Sequence, residues 1–258
     1  MKLSEIMGPS RSKLRRANRH INSLIDDASE LPREIYKISA VRTRSFAPLA
    51  KPDSYSAAYS PKRPVRDHFG SIMGDAVNNL RESLDYWMKN AIQCKCNKRL
   101  ERVHFPFTKK RAELENSSSY KKIGHNFPEA ARFISNNVEP CRDTNKYLWA
   151  VTSLCNENKH DDFLPTVTVV NIDNINIRAG SNEVTESRVQ ADATMPFSFF
   201  GCDMPMTIQG DYKAAVQLYF SEEAVFGKQE VIPTLKIMSQ ITSKTLDDLE
   251  KFIAPYCS

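Results

Sequence analysis

The stretch Gly74–Trp87, GDAVNNLRESLDYW, decides how the rest of the chain is read. Met73, Val77, Leu80, Leu84, Trp87 and Ala91 recur at three- and four-residue steps, the spacing of one face of an α-helix. Gly74 and Asp75 suit a tight entry with a carboxylate near the positive end of the helix dipole. Asn78, Arg81 and Asp85 follow at i, i+3 and i+7 on the stripe beside that seam, and Arg81 and Asp85, four apart, are placed to pair. A second stretch, Leu148–His160 (LWAVTSLCNENKH), has the same make-up. Its seam is Leu148, Val151, Leu154 and Cys155, and Trp149, Thr152, Asn156, Lys159 and His160 line the next stripe. If the two seams face each other, both polar stripes meet at one edge of the interface.

Outward from this pair, residues 10–31 read as a helix capped by Ser10, with Leu14, Ala17, Ile21, Leu24 and Ala28 inward and Pro32 after its end. Residues 34–46 alternate like a strand. Residues 47–66 hold four prolines and several serines and read as an exposed loop. The central helix is expected over about 66–93, followed by a basic connector and an apolar plug, Phe105-Pro106-Phe107. Residues 109–126 look polar and partly helical at best. Pro128 suits the first turn of a short helix to Asn136, and Thr144 the cap of the second polar-striped helix. After Pro165 the pattern turns to strands at 166–170, 175–177, 184–195 and 206–220, with a phenylalanine-rich bend near Gly201. A helix from Pro233 to Ala254 closes the chain.

The expected fold class is α+β: a helical bundle, a small antiparallel sheet and a C-terminal helix. The expected divisions are 1–162, mainly helical with one early strand; 163–230, the antiparallel region; and 231–258, a helix packing back on the bundle. Hydrophobic residues at 41% and charged residues at 26% fit a globular protein, and 258 residues suffice for a substantial core. No apolar run approaches the ~20 residues that span a bilayer. Ser10–Arg19 is polar and basic where a signal peptide needs an apolar core, so a cytoplasmic location is expected.

The six cysteines are scattered, and Cys94-Lys95-Cys96 lacks the spacing and the second pair of a zinc motif, so free thiols are expected. His160-Asp161-Asp162 has no partner cluster at metal-binding spacing, and neither a metal nor a cofactor is expected. Gly-rich phosphate loops, G-x-S-x-G elbows and H-E-x-x-H helices are absent from the sequence. His104 and His125 read as loop histidines without companions. Lys2, Arg11, Lys13, Arg15, Arg16 and Arg19 stand against Glu5 alone in the first twenty residues and account for the whole net charge of +5. Arg11, Lys13, Arg15, Arg16 and Arg19 are therefore the candidate nucleic-acid contacts.

The run Gly74-Asp75-x-Val77-x-Asn79-Leu80-Arg81-x-x-Leu84-Asp85, then Phe105-Pro106-Phe107, then Asn156-x-x-Lys159-His160 resembles a widespread uncharacterised bacterial protein family over about residues 66–165. More distantly, the paired helices are similar to the HEPN superfamily, many of whose members are dimeric, metal-independent ribonucleases of toxin or defence systems. That resemblance implies an RNA-cleaving or nucleotide-binding protein of a defence, toxin or mobile-element context, and a homodimer. The HEPN hallmark places an arginine four to six residues before a histidine; here Asn156, Glu157, Asn158 and Lys159 precede His160.

Metal-free RNA cleavage needs a group to take the 2′-hydroxyl proton and a cation for the charge that develops on the phosphate. The candidate set is His160 for proton transfer, Lys159 and Arg81 for charge, Asn156 for orientation, and Asp85 to hold Arg81. The alternative from the same residues is a hydrogen-bonded network that fixes the helix pair in a non-catalytic interaction or scaffold protein.

Overall fold

The computed structural model describes residues 1–43, 53–97, 100–160, 166–210, 212–221 and 224–257; within these, the side chains at 66, 158–160, 166–167 and 185–188 are outside the description. Among the described residues no helix is long and apolar enough to cross a membrane. The fold is mixed α+β with antiparallel sheets and a C-terminal helix. Two compact units share the chain: residues 1–22, 71–164 and 231–258 form the first, and residues 23–70 and 165–230 the second. The division falls inside the first two long helices, after Asn22 and after Gly70.

The first unit is helical. α1 (Leu3–Ser29) begins a full two turns before the expected cap at Ser10, which instead lies buried inside the helix. Gly8-Pro9 reads locally as a break, yet Ile6 and Met7 extend the buried seam of Leu14, Ala17 and Ile21, and their burial outweighs the proline. Glu5 then occupies the first turn, so the arginines lie mid-helix rather than at the unfavourable end of the dipole. α2 (Val65–Cys96) carries Met73, Val77, Leu80, Leu84, Trp87 and Ala91 fully buried, the expected seam. Segment 109–126 is more helical than its polarity suggests. It holds the single turn α3 (Arg111–Leu114) and α4 (Ser118–Asn126), whose N-cap Ser117 accepts from the Tyr120 N–H.

α5 (Pro128–Phe133) starts on its proline and runs into a π-helical turn, Ile134–Val138, ended by Glu139 in the left-handed conformation (φ 46°). α6 (Lys146–His160) follows. Its first turn is capped by Asn145, whose side chain accepts from the Leu148 N–H at 3.2 Å; Thr144, the expected cap, donates to the Glu139 carbonyl instead.

Among the described residues the second unit holds seven strands in two antiparallel sheets. β1 (Tyr36–Thr43), β2 (Ser54–Pro61) and β5 (Phe197–Cys202) form one, in the order β1-β2-β5. β2 lies where a proline- and serine-rich loop was expected; residues 47–52 of that loop and 44–46 of the expected strand before it are outside the described ones. Ala57, Ala58 and Tyr59 are its buried residues, and the pairing of Tyr55 with Cys202 and of Tyr59 with Phe197 makes a strand of the expected phenylalanine-rich bend.

In the other sheet β3 (Thr166–Ala179) is central. β4 (Asn182–Asp192) lines one edge of it, and β6 (Met206–Gln209) and β7 (Lys213–Phe220) share the other. One strand was expected over 206–220. The chain instead breaks at Gly210 (φ +94°), near the left-handed Asn174 (φ 61°) of β3, which drops out of the ladder to β4. α7 (Val231–Ile253) belongs to the first unit and buries Leu235, Met238, Leu246 and Leu249.

Tyr59 anchors the second unit. It is fully buried, its hydroxyl donates to the Ala193 carbonyl at 2.9 Å, and its ring stacks at 5.2 Å on Phe197. Burial, with smaller contributions from Tyr36 and Asp192, pushes its pKa up to about 12. The unfolded chain therefore loses this proton first. Stability is full below pH ~10, falls as the pH rises from there, and levels off above about 12, a loss of roughly 2–3 kcal/mol. Chemical denaturation at pH 8, 10 and 11.5 measures the slope, and Tyr59→Phe is expected to flatten it.

Candidate functional site

The first unit builds its polar cluster where α2 crosses α6. Arg81 Nη1 donates to the Thr152 hydroxyl, and one turn away the Cys155 thiol donates to Asn78 Oδ1 at 3.0 Å. The pairs 81–152 and 78–155 run in opposite senses, so the two helices are antiparallel here and the two polar stripes do meet. Arg81 Nε lies 3.4 Å from Asp85 Oδ2, an ion-pair separation without hydrogen-bond geometry. Both side chains are mostly buried, at 17% and 20% exposure. The guanidinium also sits over the Phe107 ring, 5.2 Å from its centroid.

Asp85 has more to do than hold Arg81. Its Oδ1 accepts the Phe105 backbone N–H at 2.7 Å, and its Oδ2 lies 3.1 Å from His104 Nδ1. One carboxylate thus fixes the loop that follows α2. Phe105 is buried and packs against Phe107 at 5.4 Å, so the expected plug is present. Thr108 then ties the loop's far end to residues 140–142, accepting the Arg142 N–H at 3.1 Å and donating its own N–H to Pro140. Lys122 holds the near end through the Glu101 and Arg102 carbonyls.

His104 was read as a companionless loop residue, and the structure overturns that reading. Its partner lies nineteen residues earlier on another element, so no local spacing signals it. A carboxylate only accepts, so His104 Nδ1 carries the proton and Nε2 is left as the open ring atom. The side chain is 56% exposed and borders a depression of about 700 Å³ lined also by Lys89, Leu100, Glu101, Arg102 and Val103. Lys89 stands one turn beyond Asp85 on α2, so the same helix face that orients the imidazole supplies a cation beside it. His125, the other histidine read as a loop residue, lies in α4.

No family model, curated protein or solved structure matches the chain. The functional reading therefore rests on the placement of the site residues themselves. Asn156 is exposed on α6, one residue past Cys155. Lys159 and His160 close that helix, and their side chains are outside the description. At 1.5 Å per residue the His160 backbone lies about 12 Å along the axis from Thr152, the level that meets Arg81. Asp161 and Asp162 are outside the described residues.

The basic cluster of α1 divides in two. Arg11 pairs with Asp247 and with Glu250 (2.7 Å) on α7, and Lys13 with Glu82 on α2. Burial works against the Arg11 charge, but the two carboxylates outweigh it and hold the guanidinium above its ordinary value. These two residues are spent on packing. Arg15, Arg16 and Arg19 are exposed and form no ion pair among the described residues.

Proposed function

We propose that the protein binds RNA and cuts it without a metal ion, with His104 as the proton-transfer group and Lys89 and Arg102 as the charges that meet the phosphate. The reading follows the HEPN resemblance of the sequence and moves the site to the loop end of the helix pair. The observation that carries it is the His104 imidazole, tied to Asp85 through Nδ1 and bordering a depression that Lys89 and Arg102 also line. Imidazole is the ordinary side chain for proton transfer near neutral pH. In the step proposed, Nε2 takes the 2′-hydroxyl proton, the 2′-oxygen attacks phosphorus, and the bond to the 5′-oxygen breaks. That oxygen leaves with the proton returned by the imidazolium, and a 2′,3′-cyclic phosphate remains. Lys89 and Arg102 balance the charge on the phosphate oxygens. Arg81 and Asp85 are positioning residues in this scheme, and Arg15, Arg16 and Arg19 give a second, sequence-independent contact to the RNA backbone.

The second reading is a non-catalytic interaction protein. It is favoured by the way Arg81 and Asp85 spend their polar groups inside the fold, on Thr152, Phe105 and His104.

The test is cleavage of a mixed RNA pool in EDTA by wild type, His104→Ala and His160→Ala. His104→Ala is expected to lower the cleavage rate by about 100- to 10,000-fold with an unchanged melting temperature. Loss in His160→Ala alone would move the proton-transfer role to the end of α6. RNA left intact by folded wild type would leave the interaction protein.

A further inference from the structure

At the opposite end of α2 from its entry, three part-exposed thiols gather within the first unit. Cys94 and Cys96 lie on the last turn of α2, and Cys257 follows the short 3₁₀ turn Ala254–Tyr256 that extends α7. The Cys94 thiol lies 3.5 Å from the Tyr256 carbonyl oxygen, and that carbonyl is bonded to the backbone nitrogen of Cys257. Cys94 sulfur is therefore already at the backbone of the second cysteine. The Cys257 thiol donates to the Ile253 carbonyl at 3.4 Å, one turn back on α7. Cys96 is committed elsewhere, donating to the Asn126 carbonyl at 2.8 Å. The corner is held in place from both sides. Lys95 lies over the Tyr256 and Phe127 rings at 4.9 and 5.3 Å and pairs with Glu129, and Phe252 packs on Phe133 at 4.5 Å and on Tyr256 at 5.6 Å.

We propose that Cys94 and Cys257 are a peroxide-oxidisable thiol pair whose disulfide staples the end of α7 to the end of α2. The Cys94 sulfur lies against the peptide that joins Tyr256 to Cys257, so turning the Cys257 side chain away from the Ile253 carbonyl is the movement the bond requires. Burial and the neighbouring Cys94 thiol hold the Cys257 thiol above its ordinary value, which makes it the slower group toward an oxidant and the resolving partner. Cys94 thiolate attacks hydrogen peroxide, the O–O bond breaks, and a sulfenic acid forms while the departing hydroxide takes up the proton the thiol had released and leaves as water. The Cys257 sulfur then attacks the sulfenic sulfur; the S–S bond forms, the S–O bond breaks, and hydroxide leaves with the thiol proton as water. Two thiols are oxidised by two electrons in all, and one peroxide is reduced to two waters. Joining residues so far apart in sequence limits the unfolded chain, so the oxidised form is the more stable one.

The full-length chain treated with dilute hydrogen peroxide, alkylated and mapped by mass spectrometry under non-reducing conditions tests this. A loss of two hydrogens, a peptide linking residues 94 and 257, and a melting temperature raised by oxidation and restored by dithiothreitol are expected. The linked peptide is to vanish in Cys94→Ser and Cys257→Ser and to persist in Cys96→Ser. A map without the 94–257 peptide, or a temperature rise that survives in Cys257→Ser, overturns the assignment.

Discussion

Replacing Phe105 with alanine is expected to cost about 3–5 kcal/mol of folding stability, read as a shift in the denaturant midpoint at unchanged slope. The ring is 1% exposed and sits between α2 and the loop it terminates. Truncation removes the transfer energy of the ring and leaves a cavity, because the loop cannot collapse into it. Its backbone is pinned by Asp85 on one side, and three residues on Thr108 is pinned to 140–142. Phe107→Ala is the control. That ring is half-buried and sits under the Arg81 guanidinium, so its loss is expected to cost only about 1–2 kcal/mol, part of it the cation–π contact. Phe105→Leu is expected to recover most of the loss, since a volume-near swap keeps the cavity small. A Phe105→Ala variant within ~1 kcal/mol of wild type would mean the loop is not docked on this ring.

The helix pair was legible in the sequence because its signal is local. Six apolar residues at helical spacing announced the α2 seam, and Arg81 and Asp85 four apart announced their pair. The neighbouring stripe on α6 was legible for the same reason, and Arg81 does reach Thr152. The second unit was read less well, because β2 is the middle strand of its sheet, paired along its length with β1 and on its other edge with the distant Phe197–Cys202. Prolines and serines in that segment set a local preference, and long-range burial of Ala57, Ala58 and Tyr59 overrides it. The break between β6 and β7 hides in a single glycine, Gly210, whose positive φ no local spacing announces. His104 was missed for a third reason. Its meaning comes from a carboxylate already assigned to Arg81, and one side chain serving two neighbours leaves no second spacing to find. A basic loop beginning about three turns after a seam-flanking Asp was the available hint, since such an Asp has acceptor positions to spare.

Replacing Asp85 with alanine is expected to cost about 2–3 kcal/mol and to weaken any RNA cleavage in the same step. The carboxylate serves three groups at once: the Phe105 N–H, His104 Nδ1 and the Arg81 guanidinium. Removing it strands a mostly buried cation whose other polar contact is Thr152, and it leaves a backbone donor beside a buried ring without its acceptor. Asp85→Asn separates charge from shape. The amide oxygen still accepts from Phe105, so this variant is expected to keep more than half of the lost stability while giving up the ion pair. Arg81→Ala in the Asp85→Ala background then isolates the charge: if stranding the cation is the main penalty, the double variant is more stable than Asp85→Ala alone. The cleavage readout separates scaffold from positioning. In Asp85→Asn the fold persists but His104 loses the carboxylate that fixes its tautomer, so a fall in rate without a matching fall in melting temperature assigns Asp85 to the imidazole. Equal falls in both would reduce the cluster to a fastening for the loop.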